Sequence, residues 1–181
     1  MKRIVSVVVA AGCISALVFL FAATPSVNAQ SGARTPQHQA APIETRFWDW
    51  LSNADYGNWA APTGEKADEF YPGKSPHGAF IKTHLNRVAA ADPKELPSGS
   101  VIVKENFDKD KKLMNVTVMY KSAGYDPTQK DWWYAKYMTD GTVATMKKKG
   151  SDKAIQLAGK VEGCIECHQS AGGGDYAFFN D

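Results

Sequence analysis

Apolar and polar positions follow three successive regimes along this chain, and each predicts a different kind of structure. Ile4 to Ala23 is apolar apart from Ser6, Gly12, Cys13 and Ser15, with Met1-Lys2-Arg3 before it and Pro25-Ser26-Val27-Asn28-Ala29 behind. A short basic start, an apolar stretch and small residues ahead of a cleavage point predict a signal peptide over residues 1–29, cut after Ala29. The rival is an uncleaved anchor, since about 20 apolar residues span a bilayer. A lipoprotein reading of Ala10-Ala11-Gly12-Cys13 fits less well, because Ile14 to Ala23 stays apolar where a lipidated terminus turns polar. Gln30 to Thr45 has few large apolar residues and much Gln, Ala, Pro and Ser. That composition predicts a flexible lead-in over residues 30–45, with His38 solvated.

The third regime, residues 46–181, reads as one folded domain. Phe47, Trp48, Trp50 and Leu51 are spaced for a short helix seated on a core. Residues 52–76 mix Asn, Gly and Pro with Trp59, Phe70 and Tyr71, the pattern of a loop held down by large side chains. Strand-like runs follow at Phe80 to Asn86, Ser100 to Asn106, Leu113 to Tyr120 and Trp132 to Tyr137, with a short helix predicted over Arg87 to Ala91. Polar turns separate the strands, so an antiparallel meander is the economical topology. Ser151 to Val161 is read as a helix that delivers the C-terminal segment to the sheet. The fold class expected is α+β, weighted towards strand: an antiparallel meander with a few short helices.

Charge changes this picture by exclusion. The chain holds 21 basic and 19 acidic residues, and losing Lys2 and Arg3 with the leader leaves 19 of each. No basic stripe suggests nucleic acid. The leader also removes Cys13, so the mature chain keeps two cysteines out of three, too few for a disulfide framework.

Those two lie in Cys164-Ile165-Glu166-Cys167-His168. Two thiols two residues apart followed at once by histidine is the attachment pattern of a c-type haem. The thiols reach two vinyl groups on one porphyrin edge, and the histidine lies beneath the iron as its proximal ligand. Export agrees, because covalent attachment of haem c takes place outside the cytoplasm. A structural zinc would need a second ligand pair, for which only His77 and His84 are to hand. A thioredoxin-like pair would want a βαβ unit, and none is evident. For the sixth iron position Met114, Met119, Met138, Met146, His77 and His84 are all candidates. Each has a plainer reading: methionines as core filling, His84 on a partly exposed strand face, His77 at a turn with a structural hydrogen bond. No clear sixth ligand emerges, which favours an open iron.

The segments "SPHGAFIKTHLN" (75–86), "LPSGSVIVKENF" (96–107), "VTVMYKSAGYDP" (116–127), "WWYAKY" (132–137) and "GKVEGCIECHQSAGGGDYAFF" (159–179) together resemble the cytochrome P-460 family. The resemblance implies a β-rich protein enclosing one covalent haem c, often dimeric, with five-coordinate iron on His168. It also implies a lysine bonded to a meso carbon of the porphyrin, at the end of a strand of the form Gly-x-Val-x-Val-Lys-Glu, which here makes Lys104 the candidate. Alternation alone puts Val101, Val103, Glu105 and Phe107 on one strand face and Ser100, Ile102, Lys104 and Asn106 on the other. It does not say which face meets the haem, and a solvated strand lysine is the ordinary alternative.

Within that family two functions diverge. Crosslinked members oxidise hydroxylamine with the help of a distal carboxylate; the related β-type cytochromes c′ lack the crosslink and bind nitric oxide or carbon monoxide behind an apolar, Phe-capped face. This chain has the lysine, with Gln169, Ser170, Ala171 and three glycines past the motif and no distal carboxylate to place; Glu105 and Asp175 are acidic residues near the matched motifs, Asp175 as a cap or anchor for the C-terminal segment. The expectation is a periplasmic haem c oxidoreductase acting on hydroxylamine or nitric oxide at open iron, with Cys164, Cys167, His168 and Lys104 as its site. Its partners would be the small nitrogen-containing or diatomic ligand, another cytochrome as electron partner, and a second copy in a homodimer. The alternatives are a non-catalytic gas-binding protein, with Phe80 and the 132–137 segment as its apolar face, and a simple electron carrier.

Overall fold

The computed structural model describes residues 41–180 apart from residues 149 and 174. The signal peptide expected over residues 1–29 with cleavage after Ala29, most of the expected lead-in and His38 lie outside the described residues. No helix among those described is long and apolar enough to cross a membrane.

Helix α1 (Ile43–Asn53) is followed by an irregular stretch and then strands β1 (Tyr71–Pro72) and β2 (Phe80–Leu85), helix α2 (Arg87–Ala91), and strands β3 (Val101–Phe107), β4 (Leu113–Lys121) and β5 (Trp132–Met138). Strands β6 (Thr145–Lys147), β7 (Ala154–Gln156) and β8 (Ala158–Gly159) precede helix α3 (Glu162–His168). The main sheet has the order β1-β2-β3-β4-β5-β8, antiparallel throughout, and β6 pairs with β7 separately. The expected strand-weighted meander is the architecture found. One expected element is absent: Ser151 to Val161 is not a helix. It holds β7 and β8, Leu157 N–H bonds to Ala144 O at 2.8 Å, and Gly159 takes φ +95. Pairing across the sheet there outcompetes a weak local helix preference, and the helix begins one residue later, on the haem motif itself.

Alternation sorts the sheet into two faces. Val101, Val103, Val116, Val118, Trp133, Ala135 and Tyr137 pack with Leu51 of α1, and Phe47 and Trp48 close over them. Tyr137 Oη donates to Glu44 O at 2.8 Å, tying α1 across the strands. The opposite face buries Leu85, Leu96, Ile102, Met119, Trp132 and Tyr134 against Val161 and Ala177, with Cys164 and Ile165 of α3 packed on them.

A single carboxylate pins the C-terminal segment to this second face. Asp175 pairs with Lys121 Nζ at 2.8 Å and accepts the Leu96 N–H at 3.0 Å, while its carbonyl accepts Trp132 Nε1 at 3.1 Å. Its role as an anchor is thus met, with both charged side chains largely buried. Breaking a buried, hydrogen-bonded pair by removing one partner costs about 3–5 kcal/mol. Asp175→Ala should therefore lower the urea-unfolding free energy by about 3 kcal/mol, and Asp175→Asn, which keeps an acceptor for Leu96, by less.

Candidate functional site

Helix α3 is only two turns long and starts from Val161 in an extended conformation. Residues three and four apart share a helix face, so Cys164 stands beside both Cys167 and His168. All three line a cavity of about 440 Å³ whose other walls include β3, β4, β5, His77, Met146 and residues 177–179. Both thiols are free, and burial holds the Cys164 thiol above its ordinary value. No group of three or more His, Cys, Asp or Glu side chains that could hold a metal ion occurs among the described residues, so a structural zinc has no ligand set there.

His168 is buried, and its Nδ1 lies 2.7 Å from the carbonyl oxygen of Tyr176. A carbonyl only accepts, so Nδ1 carries the proton and Nε2 keeps its lone pair. Burial pushes the imidazole below its ordinary pKa; the Tyr176 bond opposes that and the Lys104 charge adds to it. A neutral ring with a second nitrogen fixed by a carbonyl is the state that ligates metals. Tyr134 and Phe178 flank the ring at 5.5 and 5.3 Å between centroids.

The sheet presents its wall in rows. Ile102, Met119 and Tyr134 are partners across β3, β4 and β5, and the next inward row is Lys104, Thr117 and Lys136. Rows on one face are about 7 Å apart. Lys104 therefore looks into the cavity with Ile102, which settles the face that alternation left open. Desolvation by burial pulls the Lys104 ammonium below its ordinary pKa, offset in part by the charges of Glu65 and Cys167. An amine held towards its neutral form is a nucleophile.

Glu105 points the other way. It bonds His84 Nε2 at 3.3 Å and Tyr56 Oη at 3.4 Å on the α1 face, so it is no distal carboxylate. His84 is 1 % exposed rather than on a partly exposed face, and lies on the far side of the sheet from the haem motif. Met138 is exposed and outside the cavity wall; Met119, Met146 and His77 line it. Phe80 meets Phe70 edge to face and does not line the cavity, and Phe178 and Phe179 supply the apolar wall instead. Sequence reasoning had no signal for the Tyr176 carbonyl or for the Tyr134 hydroxyl, because both act through tertiary placement.

Fold and motif together define a class: an antiparallel-sheet protein whose C-terminal CxxCH helix closes a cavity over the sheet. The family model described as Cytochrome P460 matches residues 53–179, and the chain belongs to that family. Its members bind haem c, act on nitrogen compounds and are generally exported. A search of curated proteins found no match.

The residues present fit a haem c. The cavity volume falls in the range of about 300–1,000 Å³ usual for cofactor sites. Two free thiols and a lone-pair imidazole nitrogen share its wall. The Tyr134 hydroxyl is buried on the same wall with no hydrogen-bond partner among the described residues, an unmet polar group of the kind a polar cofactor substituent satisfies.

The opposite placement of Lys104 and Glu105 can be tested. Burial, then the Glu105 charge, raises the Tyr56 phenol from 10 to about 12. A folded pKa above the unfolded value stabilises below pH 10, and that contribution is lost as pH rises from 10 towards 12. In Glu105→Gln, Tyr56 should titrate at lower pH, read by the ring carbon shift in NMR with Tyr56→Phe as the assignment control. The haem absorption spectrum should stay unchanged; a shifted Soret band would place Glu105 at the cavity after all.

Proposed function

We propose that this chain carries one haem c bound covalently through Cys164 and Cys167, with His168 as proximal ligand, and carries out redox chemistry on hydroxylamine or nitric oxide outside the cytoplasm. When bound, the haem supplies a redox-active iron with an exchangeable position for a small ligand. The observation that carries the reading is that Lys104, a cation desolvated by its surroundings, shares one cavity with the CxxCH side chains.

The chain's own residues divide the work. Tyr176 holds His168 in the ligating tautomer, and Asp175 holds Tyr176 in place through Lys121 and Leu96. Phe178, Phe179, Ile102 and Met119 exclude water from the wall. Lys104 is the residue proposed to bond the porphyrin edge. That bond replaces one N–H and one meso C–H with C–N, releasing two protons and two electrons to an oxidant of the peroxide class. Among the described residues lining the cavity there is no carboxylate; the carboxylate whose charge acts on Lys104 is that of Glu65, which burial holds above its ordinary pKa. A cleaved signal peptide over residues 1–29, a periplasmic location, another cytochrome as electron partner and a homodimer complete the proposal.

The apolar wall of Phe178 and Phe179 favours one second reading, capture of nitric oxide or carbon monoxide without turnover. The ferrous absorption spectrum separates them, taken on protein matured in a host that attaches haem c. The first reading expects a Soret band far to the red of ordinary ferrous c-haem, and its return to the ordinary position in Lys104→Ala. An ordinary high-spin c-haem spectrum in the wild type would leave the gas-binding reading. Cys164→Ala with Cys167→Ala should abolish haem that survives a denaturing gel.

A further inference from the structure

Glu65 stands in the loop between α1 and β1, and its charge is one that the proposed function leaves without a task. The sheet shows where that loop runs. Ala60 makes an antiparallel bridge to Leu85 at the end of β2, with the Leu85 N–H on the Ala60 carbonyl at 2.7 Å. Pro62, two residues on and buried, falls by that register at the level of Thr83, the cross-strand partner of Lys104. A turn then folds the chain back. The Glu65 N–H bonds to the Pro62 carbonyl at 3.0 Å, and Gly64 between them takes φ +88. That is a turn of type II, which asks for glycine at its third position. It ends on Glu65, whose Oε2 is buried with no hydrogen-bond partner among the described residues. A carboxylate oxygen taken from water and left unpaired is costly, so the group calls for an explanation.

One cation faces this carboxylate. Lys66, next along the chain, is engaged by Glu69 at 2.6 Å; the charge that acts on Glu65 is that of Lys104. In return, the Lys104 ammonium feels Glu65 and Cys167. A cysteine joined to haem as a thioether carries no charge, which leaves Glu65 as the counter-charge of Lys104 in the loaded protein. The two are not a direct ion pair, since no contact within 4.0 Å joins them. A lysine on its flexible stem can close such a gap.

Burial acts on the two groups in opposite senses, and one proton answers both. It pulls the Lys104 ammonium below its ordinary pKa and holds the Glu65 carboxyl above its own. Passing the proton from Lys104 to Glu65 makes both neutral at once, and the lysine becomes an amine able to attack. The other groups around Lys104 do not compete for that proton. Burial pushes His77 down to about 4, and His168 is held neutral with its Nδ1 proton on the Tyr176 carbonyl. Lys136, in the same row of the sheet, is itself a cation and acts on Cys164 and His77.

We propose that Glu65 is the proton acceptor for the bond between Lys104 and the porphyrin: it takes the ammonium proton before the bond forms and keeps it afterwards. The Lys104 ammonium gives one proton to the Glu65 carboxylate. The neutral amine then trades one N–H for a C–N bond at the meso carbon, whose own hydrogen is lost. Hydrogen peroxide takes up the two protons and two electrons left over, its O–O bond breaking to give two waters. The nitrogen, now attached to an aromatic ring, carries no charge, so nothing draws Glu65 back to its ionised form. The proposal rests on the Lys104 reading above and assigns to that bond a residue outside the cavity wall.

The test follows the Soret band of protein loaded with haem c in the absence of oxidant and then given hydrogen peroxide. In the wild type the rate of the red shift should be the same at every pH across the neutral range, because the proton moves within the pair. In Glu65→Gln the amine has to lose its proton to solvent, and the rate should rise about tenfold for each unit of pH. Glu65→Asp should restore the flat profile. Infrared spectra should show the band of a protonated carboxyl rising with the Soret shift in the wild type and absent from Glu65→Gln. A carboxylate acting by its charge alone would hold the proton on Lys104, and Glu65→Gln would then speed the shift at every pH with the slope of the wild type. That result overturns the proposal, and so does an unchanged rate and slope. A wild type that gains no carboxyl band also overturns it, and this decides the matter even if Glu65→Gln fails to fold. A wild type whose Soret band never shifts, with its haem retained on a denaturing gel, would instead sink the Lys104 bond beneath the proposal, and the proposal with it.

Discussion

The proton on His168 Nδ1 is committed to the Tyr176 carbonyl, and the whole site is arranged around keeping it there. A carbonyl can do this only if its own position is fixed, and residues 175–179 form little regular structure that would fix it. The fixing comes from the next residue along. Asp175 meets Lys121 at the end of β4, the Leu96 N–H in the loop before β3, and through its carbonyl the Trp132 indole at the start of β5. One acidic side chain and its backbone thereby couple three separate stretches of chain to the orientation of one imidazole. The arrangement is a second layer of hydrogen bonds behind a ligand, where loss of a distant partner is felt as a misplaced nitrogen.

The sheet's contribution is a sorting rule with a period of two. Neighbours Lys104 and Glu105 carry opposite charges, and in solution they would pair or be solvated alike. On a strand they are sent to opposite faces. Lys104 enters an apolar cavity with Ile102, while Glu105 joins His84 and Tyr56 beneath α1. Separation by the sheet keeps Glu105 away from Lys104, whose ammonium burial holds below its ordinary pKa against the opposing charges of Glu65 and Cys167. A one-residue slip in β3 would exchange the two and fill the cavity wall with a carboxylate.

These two devices explain what could be read from the chain and what could not. Strands β2 to β5 were legible because each is a short run rich in β-branched and aromatic residues, and the polar turns between them are local. Cys164, Cys167 and His168 were legible because their chemistry depends on spacing within five residues. The helix expected over 151–161 was not, since Ala144 and Ala135 decide the pairing of Leu157 and Ala158 from far along the chain. His84 looked half-exposed by pattern but is covered from the α1 side, where Tyr56 meets its ring at 5.7 Å. Lys104 was half legible: alternation fixed its companions, and only the packing of α3 showed which face they look at.

His77 is the hardest case, and it shows why residues held from far along the chain escape sequence reading. Its partners Asn106 and Thr117 lie 29 and 40 positions away, and the feature that places it is a glycine whose missing Cβ makes room for a carbonyl. Nothing local to Ser75-Pro76-His77-Gly78 shows that the turn carries its ring to the cavity wall.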